Sequence, residues 1–204
     1  MSALRNVVIV VSNQKTSDVY YAKSYPDPDF DNDGRWERYK TPVYKVFLRS
    51  TNAAGESVQK DWQALRFMPF WNDPSQPTKK SRGRGWIDSG LLYFPRKPVL
   101  AYLKDYKVHN TASPFDGAIQ IKGNFLVHAG PESMMSSDWA WGAAGCIEVI
   151  GDFNEFRMDI LEMSGSTQTD IHTGMHQLVA AKRLYVQVDL DTAPDLKSAR
   201  DGDF

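Results

Sequence analysis

The sequence has one cysteine, four histidines, no long apolar run and almost no net charge. One cysteine excludes a disulfide within the chain. No apolar stretch approaches the roughly 18 residues that a transmembrane helix needs, so we predict no membrane insertion. Lysine and arginine number 24 against 25 acidic residues, a net charge of −1, and this balance does not favour a nucleic acid partner. With 204 residues and 42% hydrophobic content, the chain is large enough for one buried core.

The first residues, MSALRNVVIVVSNQ, contain a short apolar run but no Ala-x-Ala cleavage pattern. We therefore interpret this run as a first β-strand rather than a signal peptide. The expectation that follows is synthesis in the cytoplasm, which leaves export by a dedicated secretion machinery open.

Strand patterns dominate the first two thirds of the chain, and helical spacing appears only after Cys146. The predicted strands cover residues 7–11, 42–49, 62–70, 90–94, 104–109, 118–121, 124–128, 147–150 and 184–190. Asp152 is a candidate N-cap for a helix over 153–163, and Thr173 for a helix through 182. The pattern predicts one mainly β domain, a β-sandwich or barrel-like fold with two peripheral helices. Within it, 1–75 is a β-rich elaboration, 76–190 carries the candidate site, and 191–204 is a polar tail.

The candidate site is the segment FLVHAGPESMMSSDWAWGAAGCIEV. His128 ends one apolar run, and Cys146, 18 positions later, opens another. A thiol attacks only as thiolate, and a nearby imidazole is the usual group that deprotonates it. The order strand, histidine, loop, Gly-Cys, strand predicts that both side chains lie at adjacent strand ends.

The loop before the cysteine carries little side-chain bulk, with Gly142 and Gly145 around two alanines. In such a loop the backbone N–H groups of Ala144, Gly145 and Cys146 can point to one position beside the sulfur. That arrangement is typical of an oxyanion hole for acyl transfer.

This segment resembles the L,D-transpeptidase catalytic domain (YkuD-like), with His128 as the family histidine and Gly145-Cys146-Ile147 as the Gly-Cys-apolar core. The resemblance implies a mainly β fold and a third catalytic group, the backbone carbonyl that follows the histidine, here that of Ala129. The family's Ser-His before Gly-Cys is replaced by Ala143-Ala144. Glu148 stands where the family has Arg or Asn.

The resemblance implies a cysteine acyltransferase that acts on peptidoglycan stem peptides, with transpeptidation, D-amino-acid exchange and L,D-carboxypeptidation all open. A version without a signal peptide resembles antibacterial effectors of type VI secretion, which act in the periplasm of a target cell. Its expected partners are then the secretion machinery and a cognate immunity protein. Two alternatives stay open: a cysteine peptidase or amidase on another substrate, and a non-enzymatic binding domain with a buried cysteine.

Substrate contacts are predicted for two further pairs of residues. Trp139 and Trp141 flank the approach to the cysteine, and aromatic side chains often line a peptide or sugar groove. Arg82 and Arg84 lie in the glycine-containing loop KKSRGRGW, and guanidinium groups suit carboxylates. Because Glu148 replaces a family cation, this loop is the candidate source of positive charge.

No metal or cofactor is predicted. Asp27, Asp29, Asp31 and Asp33 are spaced as in a calcium loop, but Lys40 occupies the place of the closing glutamate. His172 and His176 have the spacing of ligands on one helix face, yet no further cysteine exists to complete a site. We interpret both groups as surface residues.

Overall fold

A computed structural model of the protein describes residues 4–23, 25–26, 29, 34–71, 85–86, 91–108, 114–134, 142–143, 145–193, 195 and 197–198. The described residues are mainly β, with two helices after the cysteine. The strands are β1 (Val7–Lys23), β2 (Tyr25–Pro26), β3 (Arg38–Thr51), β4 (Ser57–Leu65), β5 (Pro69–Trp71), β6 (Gly85–Trp86), β7 (Phe94–Pro98), β8 (Ala101–Leu103), β9 (Ala118–Lys122), β10 (Phe125–Ala129), β11 (Ile147–Ile150), β12 (Leu184–Val188) and β13 (Lys197–Ser198). The helices are α1 (Phe153–Ser164) and α2 (Ile171–Ala180).

The main sheet is one open, mixed sheet. Its strand order is β7-β12-β1-β3-β4-β11-β10-β9-β8, and β13 adds to β3. The pairs β1–β12 and β10–β11 are parallel, with Val7 opposite Leu184 in the first of them, and the other pairs are antiparallel. A separate small sheet has the order β2-β5-β6.

The two ends of the main sheet are connected by only two residues. Strands β7 and β8 lie at opposite ends of the order, yet only Val99 and Leu100 separate them in the chain. Val99 N–H donates to the Leu184 carbonyl on β12 at 3.1 Å, and Leu100 N–H donates to the Gln120 carbonyl on β9 at 2.8 Å. The main sheet therefore curls so that its two ends approach each other, while it stays open in its pairing.

The core lies between the curled sheet and the helices. Helix α1 begins at Asp152, whose carboxylate accepts from the N–H groups of Asn154 and Glu155 at 2.7 and 3.0 Å. Its Phe156 is fully buried and meets Trp62 of β4 edge to face, with ring centroids 5.3 Å apart. Helix α1 thus fixes the strand that neighbours β11, and through it the position of the cysteine.

Three local expectations are wrong in detail. Asp170, not Thr173, caps α2, because its carboxylate accepts from the Thr173 N–H at 2.8 Å. In the strand predicted over 104–109, residues 104–108 form a turn and no strand after β8, and 109 lies outside the described residues. In the strand predicted over 90–94, residues 91–93 are not in a strand and β7 begins at Phe94, while 90 lies outside the described residues.

The strand predicted over 62–70 is interrupted between β4 and β5. Arg66 leaves the sheet there with a side chain that is 1% exposed. Its guanidinium donates to the carbonyls of Ser12, Leu92 and Asp189 at 3.0, 3.2 and 3.1 Å. These bonds compensate for much of the cost of burying the guanidinium, whose Nε is left without a hydrogen-bond partner.

Candidate functional site

The predicted histidine lies on β10, and the predicted cysteine directly precedes β11, the parallel neighbour of β10. In the register of β10 and β11, His128 lies opposite Glu148 and Val127 opposite Ile147. Side chains alternate between faces along a strand, and paired residues share a face. His128 and Glu148 therefore share one face of the sheet. The thiol of Cys146 lies at the start of the histidine strand, where its Sγ contacts the Asn124 carbonyl.

His128 is held by the backbone of its own strand. Its side chain is buried, and Nδ1 lies 2.8 Å from the carbonyl oxygen of Ala129. A carbonyl only accepts hydrogen bonds, so Nδ1 carries the hydrogen and Nε2 keeps the lone pair of the neutral ring. The imidazole therefore presents Nε2 as its basic atom. Ala129 is the residue whose carbonyl the resemblance named.

The thiol of Cys146 is partly buried at the start of β11. Its Sγ donates to the carbonyl of Asn124, 3.8 Å away. Burial raises the pKa of the thiol, the N–H of Leu126 lowers that pKa, and the carboxylate of Glu148 raises it further. The pKa of the thiol is therefore raised above its ordinary value, because desolvation and a neighbouring negative charge both disfavour the thiolate.

Glu148 is a buried carboxylate, 6% exposed, on the same face as His128. The chain passes close to Glu148 at Gly130, where a side chain would not fit. A Cβ at Gly130 would lie 3.0 Å from the Glu148 Cβ and 2.8 Å from the Val149 carbonyl oxygen. Since the Gly130 N–H also donates to that carbonyl at 2.7 Å, the segment after His128 is tied closely to β11.

Tyr106 is a residue of this site that the sequence reasoning missed. Its ring centroid lies 5.6 Å from that of His128, with the planes tilted by 42°. Burial raises the pKa of Tyr106, and the charges of Cys146 and Glu148 raise it further. The side chain therefore lies within electrostatic range of both. The only sequence signal was an aromatic residue in a segment that was predicted to be a strand.

The approach to the cysteine is anchored on the end of β4. Gly142 has a φ of +78°, and a Cβ there would lie 2.5 Å from the Phe67 carbonyl oxygen. That carbonyl accepts from the Ala143 N–H at 3.1 Å, and Ala143 is fully buried. Gly145 also has a positive φ, +85°, directly before the cysteine. Only glycine adopts these conformations without strain, which accounts for the glycine-rich approach.

The predicted oxyanion hole is altered at one of its three amides. The Gly145 N–H donates to the Ala143 carbonyl at 2.9 Å and is therefore engaged within the loop. Ala144 lies outside the described residues. The prediction thus rests on the Cys146 N–H in the described part of the chain.

The four residues predicted to contact the substrate are not among those that the structure describes. Trp139, Trp141, Arg82 and Arg84 all lie outside the described residues, so their proposed roles stay predictions.

A separate cavity of about 520 Å³ lies beside α2, and His172 and His176 are among its lining residues. The hydroxyl of Tyr102 accepts from Arg157 and lies 2.9 Å from His172 Nδ1, while His172 Nε2 lies 3.4 Å from Asp116 Oδ1. While it accepts from Arg157, the Tyr102 hydroxyl can also donate to Nδ1, and in that tautomer Nε2 carries the hydrogen that faces Asp116. His172 is thus part of a hydrogen-bond chain that starts at a buried arginine.

Over the described ranges, no group of three or more His, Cys, Asp or Glu side chains is arranged to hold a metal ion. Over the same ranges, neither helix is long and apolar enough to cross a membrane.

The chain was compared with protein-family models, with curated proteins and with solved structures, and none of the three comparisons found a match.

Proposed function

We propose that the protein is a cysteine acyltransferase of the L,D-transpeptidase type that acts on peptidoglycan stem peptides. One observation carries this proposal: the Ala129 carbonyl holds His128 of β10 at Nδ1, and Cys146, directly before the parallel neighbour β11, donates from Sγ to the Asn124 carbonyl directly before β10. The segment from His128 to Ile147, including Gly145-Cys146, supports the choice of family through its resemblance.

In the proposed reaction, Nε2 of His128 takes the thiol proton as Sγ of Cys146 attacks a stem-peptide carbonyl. A tetrahedral oxyanion forms beside the Cys146 N–H. The C–N bond then breaks, and the imidazolium gives its proton to the departing amine of a D-amino acid. The thioester left on Cys146 is resolved by an amine, which gives a cross-link or an exchanged residue, or by water, which gives carboxypeptidation.

The raised thiol pKa fits a resting state in which the sulfur keeps its proton and donates to the Asn124 carbonyl. Proton transfer to His128 then accompanies attack rather than preceding it. Delivery as an antibacterial effector, with an immunity protein as partner, stays a prediction.

The test is mass spectrometry of purified peptidoglycan fragments incubated with the wild type, Cys146→Ala and Cys146→Ser. We expect shortened, exchanged or cross-linked stem peptides with the wild type only, and a thioester adduct on Cys146. Thermal unfolding shows whether the variants keep the fold. Unmodified fragments with a folded wild-type protein, over a range of acceptor amines, would reject the proposal.

A non-enzymatic binding domain is the alternative that a specific observation favours, because burial raises the pKa of Cys146. Iodoacetamide labelling separates the two. A native thiol that labels at the same rate in the wild type and in His128→Asn at every pH supports the binding domain, whereas labelling that slows in His128→Asn supports the enzyme.

A further inference from the structure

Tyr106 reaches the candidate site from a turn that two backbone hydrogen bonds fix. Its N–H donates to the Leu103 carbonyl at 3.3 Å, and its carbonyl accepts from the Gly117 N–H at 2.7 Å. Gly117 has a φ of +89°, and a Cβ there would lie 2.5 Å from the Tyr102 hydroxyl oxygen. The turn is thereby tied to the segment that precedes β9, the neighbour of the histidine strand.

The Tyr106 ring packs on the imidazole at a ring-centroid separation of 5.6 Å. The hydrogen bond from Nδ1 to the Ala129 carbonyl restrains the imidazole at one atom. Other contacts must restrict rotation of the ring about this hydrogen bond. A tilted aromatic contact of this geometry is attractive and restricts such rotation. The two contacts together determine where Nε2 points.

The same side chain interacts electrostatically with Cys146 and Glu148. Tyr106 thus lies against the histidine and within range of the thiol and its neighbouring carboxylate.

We propose that Tyr106 is a positioning residue, whose ring holds the His128 imidazole so that Nε2 is directed at the Cys146 thiol. This inference rests on the proposed Cys146–His128 reaction. It does not depend on the identity of the acyl donor, because it concerns proton transfer within the pair.

The experiment compares Tyr106→Phe, which keeps the ring, with Tyr106→Leu and Tyr106→Met, which remove it. Tyr185→Leu is the matched control, since this partly buried tyrosine lies on β12 under Arg96. Circular dichroism and thermal unfolding establish that each variant is folded. If Tyr106→Leu does not fold, Tyr106→Met takes its place in the test.

The first readout is the pH dependence of Cys146 alkylation by iodoacetamide, which needs no substrate. We expect Tyr106→Leu and Tyr106→Met to react about tenfold more slowly near neutral pH, with the profile moved to higher pH, because the imidazole accepts the proton less well. Tyr106→Phe should restore the wild-type profile to within about threefold.

The second readout is turnover of a stem tetrapeptide, where kcat should fall with the alkylation rate while KM changes little. Wild-type behaviour of a folded Tyr106→Leu would overturn the inference. So would a Tyr106→Phe variant as impaired as Tyr106→Leu, since the hydroxyl would then be the important group. Wild-type protein that alkylates rapidly but leaves stem peptides unchanged refutes only the proposed substrate, and the alkylation profiles still decide the role of Tyr106.

Discussion

The Nδ1 atom of His128 lies 2.8 Å from the carbonyl oxygen of Ala129, the next residue in the chain. This contact assigns the donating hydrogen to Nδ1 and the basic lone pair to Nε2. In the proposed reaction, the backbone of β10 takes the role that a third side chain has in Ser-His-Asp triads.

His128→Asn keeps an N–H group that can reach the Ala129 carbonyl but removes the base. We expect turnover of a stem peptide to fall by about 10²- to 10⁴-fold, the usual contribution of a general base. Steady-state kinetics and thermal unfolding measure the effect. His176→Asn, at an exposed position on α2, is the control and should be unchanged. Equal activity of the two variants would contradict the role of His128.

Glu148→Gln removes a negative charge that raises the pKa of the Cys146 thiol. Without it the thiolate forms more easily, so the thiol pKa falls and the alkylation profile moves to lower pH. The measurement is the iodoacetamide rate between about pH 6 and 10, a range around the ordinary pKa of cysteine. Glu155→Gln, in the exposed first turn of α1, should leave the profile in place. A shift to higher pH in Glu148→Gln would show that the carboxylate has the opposite effect.

Gly142→Ala and Gly55→Ala form a matched pair, because both glycines have positive φ, +78° and +84°. Alanine should cost about 1–2 kcal/mol of unfolding free energy at each position for backbone conformation alone. At Gly142 the new Cβ also meets the Phe67 carbonyl oxygen, whereas at Gly55 nothing lies within 4 Å. We therefore expect a further loss of about 1–3 kcal/mol and slower Cys146 labelling only in Gly142→Ala. Urea unfolding and labelling rates that are the same in both variants would contradict the anchoring of the loop.

Arg82→Ala and Arg84→Ala test the sequence-based hypothesis that this loop supplies the charge that Glu148 does not. Each lost charge-assisted contact with a substrate carboxylate should lower kcat/KM roughly ten- to a hundredfold. The control is Arg183→Ala, an exposed arginine beside β12. Unchanged turnover of an acidic stem peptide in both loop variants would remove the loop from the site.

The sequence predicts those elements whose signals are local. The β-branched run at the start of β1, the apolar runs of β10 and β11, and the Asp152 cap of α1 each lie within a few residues, and the structure has all of them. The approximate position of the candidate site follows from the same signals, because His128 lies at the end of one apolar run and Cys146 directly before the next.

The remaining features depend on residues far apart in the chain. Tyr106 contacts His128 because the segment after β8 turns back to Gly117. In the sequence, an aromatic residue at this position is typical of a strand, so it does not indicate this contact. The thiol pKa depends on burial and on Glu148, neither of which the Gly-Cys motif reveals. The break at Arg66 likewise follows from carbonyls contributed by three distant segments.

The parallel pairing of Val7 with Leu184 has a consequence for biosynthesis. A ribosome synthesises β1 before β3 to β11 and β12 only after them. Until β12 is made, the apolar run of β1 has β3 on one side and an unpaired edge on the other. A nascent chain stalled before residue 184 therefore exposes a strand edge of the kind that chaperones protect from aggregation.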